Sequence, residues 1–180
     1  MKQQDKTMKK VLIKNRQQGF GIISVILGIV ASAVLILLGF QQYQQAMMKI
    51  KIGSAQTQFQ DISTGIDSLY ANFHDFTKIT TKVVIDAGIV TKDNLVGDTI
   101  ASPWYSKSDT SIVTIKPAAL KTSYIVTMAG VPKDACSGVA SMFLNNSKSN
   151  MKVNNTLVSD PAELAVACVK SENAEIAINF

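Results

Sequence analysis

The chain is poor in the residue types on which most catalytic chemistry depends. Its 180 residues include one histidine and two cysteines. No Ser/His/Asp arrangement, phosphate-binding glycine loop or pair of carboxylates can be picked out along it. Cys136 and Cys168 have neither a histidine nor a third cysteine near them, which excludes a metal framework. His74, alone at the expected end of a helix, reads as a structural side chain and not as a ligand or base. No catalytic residue, metal or cofactor is therefore expected. Proline is scarce as well, with four in the chain and none before Phe73, so no hinge of Pro or Ser/Gly separates the N-terminal region from the remainder.

Charge is missing over a long interval, since nothing ionisable but Tyr43 lies between Arg16 and Gln45. Before that interval stand Lys2, Lys6, Lys9, Lys10, Lys14 and Arg16, opposed only by Asp5. This head accounts for the whole net charge of +5, because the rest of the chain balances. The balance leaves no electrostatic footprint for nucleic acid. A Lys/Arg cluster ahead of an apolar run holds its own end in the cytoplasm instead.

What the chain does have is that run. Phe20 to Phe40 is apolar but for Ser24, Ser32 and glycines. At about 1.5 Å per residue it spans roughly 31 Å, the hydrocarbon thickness of a bilayer. A secretory signal is shorter and ends at a small-residue site, whereas this run ends in "LLGFQQYQQ". A membrane anchor fits, with Gln41, Gln42 and Tyr43 in the far interface. The chain then continues as "MMKIKIGSAQTQFQDISTGIDSLYANF", in which Ile52, Ala55, Phe59, Ile62, Ile66, Leu69 and Phe73 recur at spacings of three and four. That is one apolar stripe, with Lys51, Gln58, Asp61 and Asp67 off it. One helix of about 54 residues, roughly 80 Å long, is expected from Phe20 to about Phe73. Gly53 and Gly65 weaken it locally, by up to about 1 kcal/mol each relative to Ala.

Beyond Phe73 the elements are short. "ITTKVVIDAG" predicts a brief helix stopped by Gly88. "IVTKDNLVGDTIASPWYS" reads as a loop, and its Trp104 and Tyr105 as core packing in preference to an adhesive patch. "SIVTIKP" and "KTSYIVTMAG" predict paired strands joined near Ala118–Lys121. "VPKDACSGVASMFLNN" predicts a helix opening at its proline, with Ala135, Val139, Met142 and Phe143 on one face. "MKVNNTLV" reads as a weak strand. In "DPAELAVACVK", Asp160 can cap, Pro161 suits the first helical turn and Glu163 completes a capping-box-like spacing. "AEIAINF" alternates as a last strand. The fold class is α+β, a long helix laid against an antiparallel sheet. With the head outside the cytoplasm, a Cys136–Cys168 disulfide is expected over two buried thiols, its closed loop worth about 3.7 kcal/mol in the chain-entropy model. "NNS" at 145–147 and "NNT" at 154–156 match the glycosylation pattern but read better as polar loops.

A Lys-rich leader ending in Gly then Phe, a long helix, and an α+β head with a C-terminal disulfide loop together resemble a type IV pilin. The resemblance is to the type IVb class, including bundle-forming pilin, toxin-coregulated pilin and the thin-pilus pilins of conjugative plasmids. "VPKDACSGVASMF" and "DPAELAVAC" are similar to the two helices bearing the family's cysteines, and "LVGDTIASPW" is similar to the thin-pilus pilins. The resemblance implies a leader at 1–19, an apolar helix half at 20–45, an amphipathic half at 46–75 and a head at 76–180. It implies cleavage between Gly19 and Phe20 by a prepilin peptidase, and N-methylation of Phe20. It also implies residence in the inner membrane, the pilus assembly machinery as a partner, and polymerisation with other copies into an extracellular filament for adhesion, aggregation or mating contact. Ser24 departs from the pattern, since the family has glutamate there to meet a neighbour's N-terminal amine. Either the chain is a minor pilin or pseudopilin that starts or caps a filament, or it is a major pilin whose amine finds neutral acceptors. A membrane-anchored periplasmic binding domain that never polymerises is the remaining alternative.

Overall fold

The computed structural model describes residues 18–73, 75–106, 110–144 and 150–180, with side chains from Gly21 onward. His74, the leader through residue 17 and the "NNS" sequence lie outside the described residues. The chain divides into two units, Met1–Ala46 and Met47–Phe180. Helix α1, Gln18–Leu69, contributes residues to both.

Within the second unit the three-and-four spacing on α1 does what it predicts: Ala55, Phe59, Ile62 and Ile66 are buried. The stripe gives out sooner than expected, because Leu69 and Phe73 are exposed. After Leu69 the chain tightens into a turn in which the Phe73 N–H donates to the Tyr70 carbonyl at 2.9 Å. Tyr70 turns inward in place of Phe73. Its ring meets Phe76 at 5.0 Å, and Phe76 meets Tyr124 at 4.9 Å, so an aromatic row closes that end of the core. Gln58, expected on the open side, is buried with its Nε2 donating to the Ala101 carbonyl at 2.8 Å.

The sheet has seven strands: β1 (Leu95–Val96), β2 (Thr99–Ala101), β3 (Ile112–Pro117), β4 (Tyr124–Pro132), β5 (Asn150–Val153), β6 (Thr156–Val158) and β7 (Asn173–Asn179). Their order is β1-β2-β3-β4-β7-β5-β6, and every neighbouring pair is antiparallel. Alternation puts Val113 and Ile115, Tyr124, Val126 and Met128, Ile176 and Ile178, and Met151 and Val153 on one buried face. The register sets them side by side, Ile115 against Val126, Val126 against Ile178 and Ile178 against Met151. That face meets α1, where the Tyr124 hydroxyl lies 3.2 Å from the Ser63 carbonyl.

Two hairpins occupy stretches read as a loop and as a single weak strand. In the first, Val96 pairs with Thr99 across Gly97-Asp98. Gly97 has φ +61°, the conformation a first central residue needs in the tight turn whose twist matches its strands. In the second, Val153 pairs with Thr156 across Asn154 and Asn155, at φ 49° and 64°. Asparagine is the side-chain-bearing residue that tolerates this region best.

Among the described residues, three α-helices and a 3-10 turn at Lys92–Asn94 complete the unit: α2 (Thr81–Asp86), α3 (Lys133–Leu144) and α4 (Pro161–Val169). Gly88 stops α2 as expected, at φ +71°. Its N–H donates to the Ile85 carbonyl and that of Ile89 to Val84, satisfying the last carbonyls of the helix. The third begins one residue later than expected, because β4 runs through Pro132. Of its anticipated face Ala135, Val139 and Phe143 are buried, and Met142 is exposed. It lies close against α1: Gln56 Nε2 donates to the Gly138 carbonyl at 2.8 Å, and the Phe59 and Phe143 rings meet edge-on at 5.3 Å. Trp104 packs half-buried against the core.

Candidate functional site

Every large apolar side chain from Ile22 to Phe40 is 49–70% exposed. Burying each is worth about 1.5–3 kcal/mol, so the run as a whole forgoes tens of kcal/mol in water. It is long and apolar enough to cross a membrane. Its two polar side chains are satisfied within the helix. Ser24 Oγ donates to the Gly21 carbonyl at 3.0 Å, and Ser32 Oγ lies 2.9 Å from the Gly28 carbonyl. Each hydroxyl oxygen thus spends its proton on its own helix and keeps acceptor lone pairs. Gly19 and Phe20 fall in the first turn of α1 by their backbone, and their side chains lie outside the described residues.

In the head, Cys136 and Cys168 are joined, with Cα atoms 5.7 Å apart. The bond ties the first turn of α3 to the last of α4. Asp160 and Glu163 open α4 as their spacing suggests: the Asp160 carboxylate accepts from the Ala162 and Glu163 N–H groups at 2.7 and 2.8 Å. Glu163 bonds Ser159 one residue outside the cap, where a capping box would return to the cap itself. Asn154 clasps the other end. Its Nδ2 donates to the Ala167 carbonyl and its Oδ1 accepts from the Glu175 N–H, each at 2.9 Å. A carboxamide engaged at both ends is a structural clamp.

Among the described residues of the head, three ionisable groups are held away from their ordinary pKa. Burial, then the charge and hydrogen bond of Asp67 at 3.0 Å, push the Tyr124 phenol well up. Hydrogen bonds from the Thr77 side chain and backbone hold Asp75 below the usual carboxylate range. The Glu172 carboxylate, 2.6 Å from its Nζ, raises Lys133. Among the described residues no group of His, Cys, Asp and Glu is placed to hold a metal ion. One feature escaped the sequence: a cleft of about 490 Å³ beside α1, lined chiefly by Ser54, Thr57, Gln58, Asp61, Asn94 and Pro103. Asn94 and Pro103 flank the hairpin read as a loop, so nothing in the sequence brought them to α1.

A model of the bundlin family matches residues 44–178. A type IVb pilin from Salmonella typhi shares the fold at TM-score 0.56 and 19% identity, over 71% of this chain and 98% of that one. TcpA, a type IV pilin from Vibrio cholerae El Tor biotype, does so at 0.52 and 8%, over 72% and 98%. No curated protein matches the chain. With the family model covering the α+β head and the second half of α1, and the charge-free apolar run of that helix preceding it, the chain belongs to the bundlin family of type IVb pilins.

Proposed function

We propose that this pilin is made as a precursor, cleaved between Gly19 and Phe20 by a prepilin peptidase, and polymerised through residues 20–45. The observation that carries the reading is the exposed, charge-free apolar run of α1 ahead of a pilin head. A helix apolar on every side suits lipid before assembly and copies of itself afterwards, because neither environment demands a polar face. The leader stays in the cytoplasm by its lysines, and the head enters the periplasm, where the Cys136–Cys168 bond persists. Phe20 becomes the N-terminus and carries the methyl group. The inner-membrane assembly machinery then passes the subunit into an extracellular filament used for adhesion, aggregation or mating contact. The protein has no catalytic role in this scheme.

Ser24 favours a second reading, a minor pilin at a filament end, because it brings no carboxylate to a neighbour's amine. The major-pilin reading assigns the amine to neutral acceptors, among them the Ser24 oxygen left free by its bond to Gly21. Replacing Ser24 with Glu tests the neutral contact. A carboxylate in hydrocarbon costs about 2.5 kcal/mol or more unless paired, so a site built around a neutral contact loses pili several-fold on Ser24→Glu. More pili per cell would show that the serine is merely a missing glutamate.

Mass spectrometry of sheared surface material tests the whole scheme. Abundant protein beginning at Phe20 is expected. Trace amounts would mark a minor pilin, and full-length protein confined to the inner membrane would mark a non-polymerising anchor.

A further inference from the structure

The short helices of the head differ in what they turn toward water. On α2 the exposed side carries Lys82 and Asp86, and on α3 it carries Lys133, Asp134, Ser137 and Ser141. On α4 the buried side is Leu164, Ala167 and Cys168, and the exposed side includes Ala162, Ala165, Val166 and Val169. Val166 is 65% exposed and Val169 75%. A helix apolar on both sides belongs in an interior, yet α4 packs beside β6, the last strand in the order of the sheet. Leu157 on that strand is exposed too, and with Ala162 and Val166 it lines a groove of about 360 Å³.

Two charges frame this patch and set what fits it. Glu163 and Lys170 line the same groove, one on each side of Val166 along α4 and about 10 Å apart along its axis. Glu163 Oε2 accepts from Ser159, and its Oε1 has no partner among the described residues. Lys170 donates one N–H to Thr156 and keeps two. A complementary surface is apolar at its centre and carries a base opposite Glu163 and an acid opposite Lys170. Turned end for end, α4 is that surface. We propose that α4 pairs antiparallel with the α4 of a copy in a neighbouring filament. Glu163 of each copy then meets Lys170 of the other, the two-fold axis passes beside Val166, and the two helix dipoles oppose each other. The pairing rests on the proposed assembly and gives its aggregation a surface. Copies within one filament touch through unlike patches, so a patch that matches itself joins different filaments. With nine residues, α4 is about 14 Å long, too short to reach the roughly 1,200 Å² of a stable interface. One pair is weak, and a row of them along two filaments holds.

Cross-linking tests the pairing. Both cysteines of the chain are bridged, so a new one is unique. In sheared filaments of the full chain, Val166→Cys oxidises to subunit dimers about ten-fold above Met142→Cys, whose thiol stands exposed on α3, because only a residue near a two-fold axis meets its own copy. Val166→Glu sets two carboxylates against each other, and the share of filaments that sediments at low speed as associated bundles falls about five-fold or more. Filament yield per cell stays unchanged, because Val166 is exposed in the single head. Equal dimer from the two thiols overturns the proposal, and so does association that Val166→Glu leaves intact; either leaves the patch to a lipid surface or a different protein. Wild-type cells without filaments would overturn the assembly reading and this pairing with it, an outcome read before any variant is made.

Discussion

Tyr124 joins the sheet to α1 by a single hydroxyl. Its ring is buried between Phe76 and Phe180, and its oxygen lies 3.0 Å from Asp67 and 3.2 Å from the Ser63 carbonyl. Burial and the nearby carboxylate both disfavour the phenolate, so the folded pKa lies above the unfolded value of about 10. A group that holds its proton more tightly when folded stabilises fully below the unfolded pKa, and its contribution declines as pH rises beyond it. The slope is at most about 1.4 kcal/mol per pH unit for one proton. Tyr124→Phe should therefore melt lower at pH 8, by about 1–2 kcal/mol for the lost hydrogen bond. The gap to wild type should close between pH 10 and 11. Thermal melts across that range check it, and the other tyrosines and the lysines cancel because both proteins carry them. A gap that is constant with pH would mean that Tyr124 ionises in the fold as readily as in the unfolded chain.

The elements differ in how plainly their residues announced them. The buried part of α1 and the start of α4 were readable because each depends on local spacing: apolar residues every three or four positions, or Asp160 two and three residues before the N–H groups it caps. The two hairpins do not show in the pattern, although Gly97-Asp98 and Asn154-Asn155 are two-residue turn pairs between strand-forming residues. Their strands, at two to four residues, are too short to alternate visibly. Glycines in α1 show what local reading leaves out, since Gly53 and Gly65 looked like equal weaknesses. A Cβ on Gly53 meets nothing within 4 Å, whereas one on Gly65 would lie 2.3 Å from Ile89 Cγ2 and 3.2 Å from its Cβ. Gly53→Ala should thus stabilise by up to about 1 kcal/mol through helix propensity. Gly65→Ala should destabilise by about 1–3 kcal/mol, because the branched Ile89 must be displaced. Urea unfolding of the two variants in the same detergent gives both signs, and two stabilising results would show that Ile89 moves aside freely.

At the scale of the molecule, long-range ties that no local pattern encodes hold the C-terminal third in place. The disulfide closes 32 residues of separation, and Asn154 reaches from a turn to both the end of α4 and β7. The cysteine pairing was expected from the compartment, but the asparagine clasp was invisible, because its value lies in where the fold carries its partners. Both devices act on one end of α4: Cys168 is next in the chain to Ala167, whose carbonyl Asn154 holds. Neighbouring restraints of this kind are not additive. Reducing the disulfide should cost up to about 3.7 kcal/mol, a fall of roughly 10 °C in Tm for a head of this size. The seven strands persist, since β5 still bonds β7 along its length. Asn154→Ala should cost about 1–2 kcal/mol with the disulfide intact. It should cost more in the Cys136→Ser/Cys168→Ser background, where the clasp and the Lys170–Thr156 hydrogen bond are left to keep the end of α4 on the sheet. A double-mutant cycle from thermal melts reads the coupling directly. Equal costs in the two backgrounds would mean that the bridge and the clamp restrain different motions.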